Sequence, residues 1–293
     1  MRKSREANKP VVRLHFAFAH YFNANGDGRH GSLSPNPEPR IKALREAILQ
    51  LHRLFGEPCG ELNHQKRRVD LINTNGSNIK ISICVSNENH ILKNLKDLED
   101  KNTFTRIQCE PEEPKQLGFE CHKILEKEYD KYDYNCFMED DILITDADYF
   151  KKLRFFNQSF GDKYLLQPNR IETSTNLKNL RRFYIDGDYN PPSTEKYRNS
   201  MNTLLCMNHL GESIKFKQRI NTHSGCFFLN QKQSEEYFKG TYWNEKDASF
   251  HGPLESAATL GVMKQFQIVK PALSNGQFLT VEHAGRNFIE MIQ

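Results

Sequence analysis

The 293-residue sequence has no apolar run near the ~20 residues that a membrane-spanning helix requires. Its longest apolar patches are strand-sized, such as Cys226-Phe227-Phe228-Leu229. It also lacks a charge excess. Lys and Arg number 41 against 37 Asp and Glu, a formal net charge of +4, so nothing in the balance argues for a nucleic-acid partner. No CxxC pair occurs among the seven cysteines (59, 84, 109, 121, 136, 206 and 226), and the count is odd. Several lie inside apolar runs, as Cys84 does in Ile81-Ser82-Ile83-Cys84-Val85. That usage predicts buried free thiols in a reducing cytoplasm, not a disulfide framework. The N-terminal stretch has a basic start like a secretory leader, but Arg13, His15 and His20 interrupt its apolar part and no small-residue cleavage site follows. Low aromatic content, the signature of disorder, is absent too: 20 Phe and 11 Tyr supply a large core.

The pattern along the chain is an alternation of strands and helices. Val11 to Phe22 alternates apolar with polar or small residues, as a first strand does, and the Asn/Gly-rich segment from Asn23 to Gly28 ends it. Ile41, Leu44, Ile48, Leu51, Leu54 and Phe55 then recur at helical spacing after a Pro-rich approach. Further strands are predicted at Val69–Asn73, Lys80–Ser86, Thr103–Cys109 and Tyr134–Met138, with a charged surface helix over Ile91–Asp100 and another helix over Leu117–Tyr129. This alternation predicts a mostly parallel α/β sheet covered on both faces. The second half is less regular: strands at Leu165–Glu172 and Thr222–Asn230, an exposed loop over Tyr184–Tyr197, and helices over Gln231–Lys239 and Pro253–Gln265. With no repeat and no low-complexity linker, one domain over residues 1–293 is expected, its first half about 10–150 and its second about 151–293.

The strand Tyr134–Met138 runs directly into Glu139-Asp140-Asp141. In an open parallel sheet, ligands bind outside the carboxyl ends of the strands. Adjacent carboxylates there repel one another unless something positive sits among them, and a divalent cation meets that need. Hard oxygen ligands suit Mg²⁺ or Mn²⁺, which can bridge the phosphates of a nucleotide. The plain alternative is a solvated acidic turn.

At these residues the chain resembles the GT-A family of nucleotide-sugar glycosyltransferases, whose D/E-x-D motif ends such a strand. Three later segments resemble the same architecture in order: Ser224-Gly225-Cys226-Phe227-Phe228-Leu229-Asn230, Gly252-Pro253-Leu254-Glu255 and Val281-Glu282-His283. The resemblance covers roughly residues 80–285. It implies a GT-A-like, Rossmann-like fold and a metal-dependent transfer of sugar from a nucleotide-sugar donor to a hydroxyl acceptor, whether carbohydrate, lipid-linked or protein. It further implies that Asp141, Glu139 and His283 hold Mn²⁺ or Mg²⁺, that Asp140 contacts the donor, and that Glu255 is the base of an inverting mechanism.

Other residues are read from position alone. His20 and Tyr21, at the end of the first strand, would meet the nucleotide, although a turn needs the same residues. Arg170 would contact phosphate or form a strand-end salt bridge. Two rival functions stand. A sugar nucleotidyltransferase would carry a glycine-rich basic loop after the first strand, of which Asn25-Gly26-Asp27-Gly28-Arg29 is a faint echo. A non-catalytic binding module on the same fold would not need the acids.

Overall fold

The computed structural model describes residues 12–26, 31–56, 60–71, 78–174, 181–198, 204–285 and 287–290. Its central sheet has five strands in the order Cys226–Asn230, Tyr134–Glu139, Arg13–Ala19, Asn78–Ser86, Thr105–Cys109. The last four run parallel, and Cys226–Asn230 lies antiparallel on the edge. The fold is therefore mixed α/β on a mostly parallel sheet.

Side chains alternate across this sheet with the period of two that a pleated strand imposes. Phe16, Phe18, Cys136, Met138 and Phe228 face one way, into a cluster with Leu44, Ile48 and Leu51 of the helix Glu38–Phe55 and with Phe150, Leu153 and Phe156 of the helix Tyr149–Phe160. Ala17, Ala19, Phe137, Phe227 and Leu229 face the other way, against Phe119, Cys121 and Leu125 of Leu117–Glu126 and Tyr237 and Phe238 of Gln231–Lys239. Because both faces are covered, these strands read as near-continuous apolar runs. Each large side chain so buried contributes about 1.5–3 kcal/mol. The first cluster also takes in Phe216, Val269, Phe278 and Val281 from the second half of the chain. Among the described residues no helix is long and apolar enough to cross a membrane.

Local sequence explains several boundaries. Pro39 stands in the first turn of Glu38–Phe55, where its missing N–H costs nothing. Asn230 caps Gln231–Lys239 with a reciprocal capping box: its side chain accepts from the Gln233 N–H, and the Gln233 side chain returns to the Asn230 N–H.

The second half departs from the sequence expectations. The strand expected over Leu165–Glu172 is two, Tyr164–Leu166 and Asn169–Ser174, in different sheets. Pro168 between them has no N–H to continue a ladder. The strand expected from Thr222 begins only at Cys226, because Gly225 holds φ +65. The helix expected over Pro253–Gln265 breaks into Pro253–Ala257 and Leu260–Gln265 at Thr259, which has φ −133. The Ile91–Asp100 segment is a 3₁₀ turn followed by Lys96–Glu99, and it buries Leu92, Leu95 and Leu98 instead of lying on the surface. The helix Tyr149–Phe160 and the hairpin of Leu204–His209 with Glu212–Lys217 are additions to the expected elements. That hairpin turns through Leu210 and Gly211, both at positive φ, and leucine is not a residue that announces such a turn. Six cysteines are free thiols, five of them buried and Cys206 exposed, while Cys59 lies outside the described residues.

Candidate active site

Glu139 is the last residue of its strand and pairs in register with Ala19. The backbone then turns through Asp140 and Asp141 into Ile142–Leu143, which belongs to a second sheet ordered Arg181–Tyr184, Asn169–Ser174, Thr280–His283, Ile142–Leu143. In that sheet His283 pairs with Ile142, and Glu282 pairs with Ile171. The Ala284 N–H donates to the Asp141 carbonyl at 2.8 Å. Register alone therefore brings together Asp141, His283 and Glu172, residues far apart in sequence.

The geometry of this group is specific. His283 Nδ1 donates to Glu172 Oε1 at 2.7 Å, which leaves Nε2 facing Asp141 Oδ2 at 3.5 Å. Glu172 is itself held, its Oε2 accepting from the Ile289 N–H at 2.9 Å. Burial alone would lower the His283 pKa, but Asp141 and Glu172 outweigh it and hold the imidazole up to about 10. The Asp141 carboxyl is held well below the usual range, since His283 and Arg40 overcome the cost of its burial. Asp141 Oδ1 is buried without a hydrogen-bond partner among the described residues.

Glu139 faces elsewhere. Its Oε2 lies 4.0 Å from Arg170 Nη1 and its Oε1 lies 3.7 Å from His223 Nε2. Burial pushes its pKa up to about 8, Arg170 opposing and Asp141 and Glu255 adding. Burial thus disfavours the charged form of this carboxyl more than its neighbours favour it. Of the three expected metal residues, Asp141 and His283 therefore face each other while Glu139 turns toward Arg170 and His223, and among the described residues no group of three or more His, Cys, Asp and Glu is gathered at one point. Gly225 lines the same spot. A Cβ there would stand 2.9 Å from Glu139 Oε2, so glycine is required for space as well as for its positive φ.

Beneath Glu139 lies a buried ion network. Arg170 Nε donates to Asp186 Oδ1 at 2.8 Å, and Lys270 Nζ donates to Asp186 Oδ2 at 2.8 Å. Lys270 also donates to the His223 carbonyl. Of the two readings of Arg170, the salt bridge is the one present.

Asp140 is enclosed. His20 Nδ1 donates to its Oδ2 at 2.5 Å, and Arg40 Nη1 donates to its Oδ1. The Ile91 N–H donates to His20 Nε2 at 3.1 Å, which fixes the tautomer with the proton on Nδ1. His20, expected to meet the nucleotide, is fully buried with both ring nitrogens engaged, and its contact is with Asp140. Tyr21 is half-buried against the second core cluster. Glu255, in the first turn of Pro253–Ala257, is half-buried and near enough to Glu139 to raise that carboxyl. Of the loop echo Asn25-Gly26-Asp27-Gly28-Arg29, residues 27–29 lie outside the described residues.

Sequence reasoning missed Arg40, Glu172, His223 and Lys270 as members of the site. Arg40 had a readable signal: a cation in the first turn of a helix opposes the helix dipole and needs an anionic partner. That partner is the acidic run, since Arg40 Nη1 also donates to Asp141 Oδ2 at 3.1 Å. Lys270 gave no signal, because a lysine in a strand reads as an exposed one.

No protein-family model matches this chain, and no curated protein matches it either. Solved structures resemble it loosely. S. aureus TarS 1-349 in complex with UDP-GlcNAc has a TM-score of 0.43 at 11% identity, with 93% of this chain and 60% of that one covered. GalNAc-T7 with UDP, GalNAc and Mn²⁺ has a TM-score of 0.44 at 8% identity, covering 93% of this chain and 43% of that one. Mannose-1-phosphate geranyltransferase from Thermus thermophilus has a TM-score of 0.41 at 10% identity, covering 88% and 73%. The chain spans only 35% of another TarS structure that it matches.

Proposed function

We propose that this protein is a metal-dependent glycosyltransferase that moves a sugar from a nucleotide-sugar donor to a hydroxyl acceptor. The observation that carries the reading is the Asp141–His283–Glu172 arrangement outside the carboxyl end of a parallel sheet. One buried oxygen of Asp141 has no partner among the described residues, and an imidazole is aimed at the same carboxylate by a second acid. A carboxylate orienting a histidine through its far nitrogen is the outer-shell pattern of metal-binding histidines. Asp141 and His283 fit Mn²⁺ or Mg²⁺ as two protein ligands, with donor phosphate oxygens supplying others.

When bound, the metal supplies Lewis-acid stabilisation of the departing diphosphate. The protein does the rest. Asp141 and His283 would hold the metal, the imidazole through Nε2 in its neutral form, while Glu172 keeps the ring oriented. The acceptor oxygen forms a bond to the anomeric carbon as the bond from that carbon to the diphosphate oxygen breaks, and the diphosphate leaves with the electron pair. Glu255 takes the acceptor hydroxyl proton.

A melting-temperature screen of UDP-, GDP-, CMP- and dTDP-sugars with and without Mn²⁺ tests this. One nucleotide class should stabilise the fold only with metal present, by mass action. No shift with any donor in either condition would favour a non-catalytic module and refute the reading. Glu255→Gln should leave that shift intact while turnover falls about 10²–10⁴-fold; full activity in the variant removes Glu255 as the base.

A further inference from the structure

Arg40 occupies ground that the proposed function assigns to a metal. Its Nη1 alone makes both contacts, to Asp140 Oδ1 and to Asp141 Oδ2, so the guanidinium lies across the two carboxylates of the acidic run. It reaches them from the first turn of Glu38–Phe55, where the helix dipole disfavours a cation.

The two arginines of the site differ in how they are held. Arg170 is anchored by its side chain and its backbone N–H, both donating to Asp186. Arg40 has only the acidic run for an ionic partner among the described residues, and its side chain is 14% exposed against 8% for Arg170. Asp140 does not depend on Arg40 for its position, because His20 holds the other oxygen. Asp141 likewise keeps His283 as a neighbour. Arg40 can therefore swing off without dismantling the turn.

We propose that Arg40 is an exchangeable counter-ion: it and a divalent cation compete for Asp141, and Arg40 must leave that carboxylate before metal binds. Released, the guanidinium lies beside the donor's diphosphate, an anion that a planar fork of donors suits. Metal alone then binds weakly, since the competent state is a minority. This inference rests on the glycosyltransferase reading only for its metal and its diphosphate.

The test is titration of the purified full chain with Mn²⁺ alone, read by electron paramagnetic resonance of the free ion. Arg40→Met should bind Mn²⁺ about tenfold or more tightly than wild type, because apparent affinity falls in proportion to the fraction of chains in which Arg40 leaves Asp141 free. Arg40→Lys, which keeps the charge on a more strongly hydrated ammonium, should fall between them, and it guards against misfolding of the methionine variant. Asp141→Asn should abolish binding in every background. Equal Mn²⁺ affinity in wild type, Arg40→Met and Arg40→Lys, all lost on Asp141→Asn, would overturn the exchange and leave the metal site standing. Absence of Mn²⁺ binding in all of them would overturn both.

Discussion

Asp186 is the keystone of the buried network, and its removal yields a large, measurable effect. It accepts from the Arg170 side chain, the Arg170 N–H and Lys270 Nζ at 2.8, 3.2 and 2.8 Å respectively. The Asp186 side chain is 4% exposed and that of Lys270 is 1% exposed, so water cannot replace it. Asp186→Asn leaves two buried cations facing each other and turns an amide donor toward one of them. Breaking a buried pair in this way costs about 3–5 kcal/mol. A chain of 293 residues unfolds with an entropy near ~0.6 kcal/mol per kelvin, so the melting temperature should fall by about 5–8 °C. Lys270→Met removes a charge instead of orphaning one, and Asp186 keeps Arg170. Its cost should therefore be distinctly smaller. Urea denaturation of both variants, with the slope m checked for constancy, measures the difference. If Asp186→Asn melts within about 2 °C of wild type, or costs less than Lys270→Met, the claim that charge compensation holds this layer together is wrong.

Three further outcomes are expected. Burial, with Lys80 adding, pushes the fully buried His15 imidazole down from 6.5 to about 4. The unfolded chain therefore takes up a proton that the fold refuses, and stability is full above pH 6.5 and falls by up to about 3 kcal/mol as pH drops toward 4. His15→Gln should melt with a shallower pH dependence between pH 7 and pH 5, and an unchanged slope would refute the assignment. Glu172→Gln should weaken Mn²⁺ binding about 10–100-fold, since the His283 ring loses its orienting carboxylate; calorimetric titration reads this, and unchanged affinity would separate Glu172 from the metal site. Gly225→Ala meets both a positive φ and Glu139 Oε2 at 2.9 Å. It should destabilise by about 1–3 kcal/mol in denaturant melts, and a neutral result would show that the turn readily relaxes.

How much of this was legible depended on whether a signal was local. The parallel sheet was, because Phe16/Ala17/Phe18/Ala19 and Cys136/Phe137/Met138 write the two faces directly into the chain. So was the acidic run at the end of its strand. His283 was pointed to by resemblance, but its partner Glu172 belongs to a strand whose register with Thr280–His283 no local pattern fixes. Lys270 and Asp186 find each other across 84 positions. The split of Leu165–Glu172 is written in Pro168, although the apolar residues on either side look continuous.

The cations of the structure change what Glu139-Asp140-Asp141 requires. Three carboxylates in a row call for a metal to offset them when read as sequence, yet the chain supplies its own cations at every one. These cations fall into two sets with different roles. Arg170, Asp186 and Lys270 form a closed layer, buried and joined by hydrogen bonds to the Asp186 carboxylate. Arg40 and His283 meet Asp141 from different elements: Arg40 reaches it by charge from a helix, and His283 is set beside it by strand register with its ring held by Glu172. On the proposed reading, a divalent cation at Asp141 would bind against two standing interactions, those with Arg40 and with His283. On that difference rests the exchange proposed for Arg40: metal affinity would then be set by how readily these two cations give way, while the layer of Arg170, Asp186 and Lys270 stays in place.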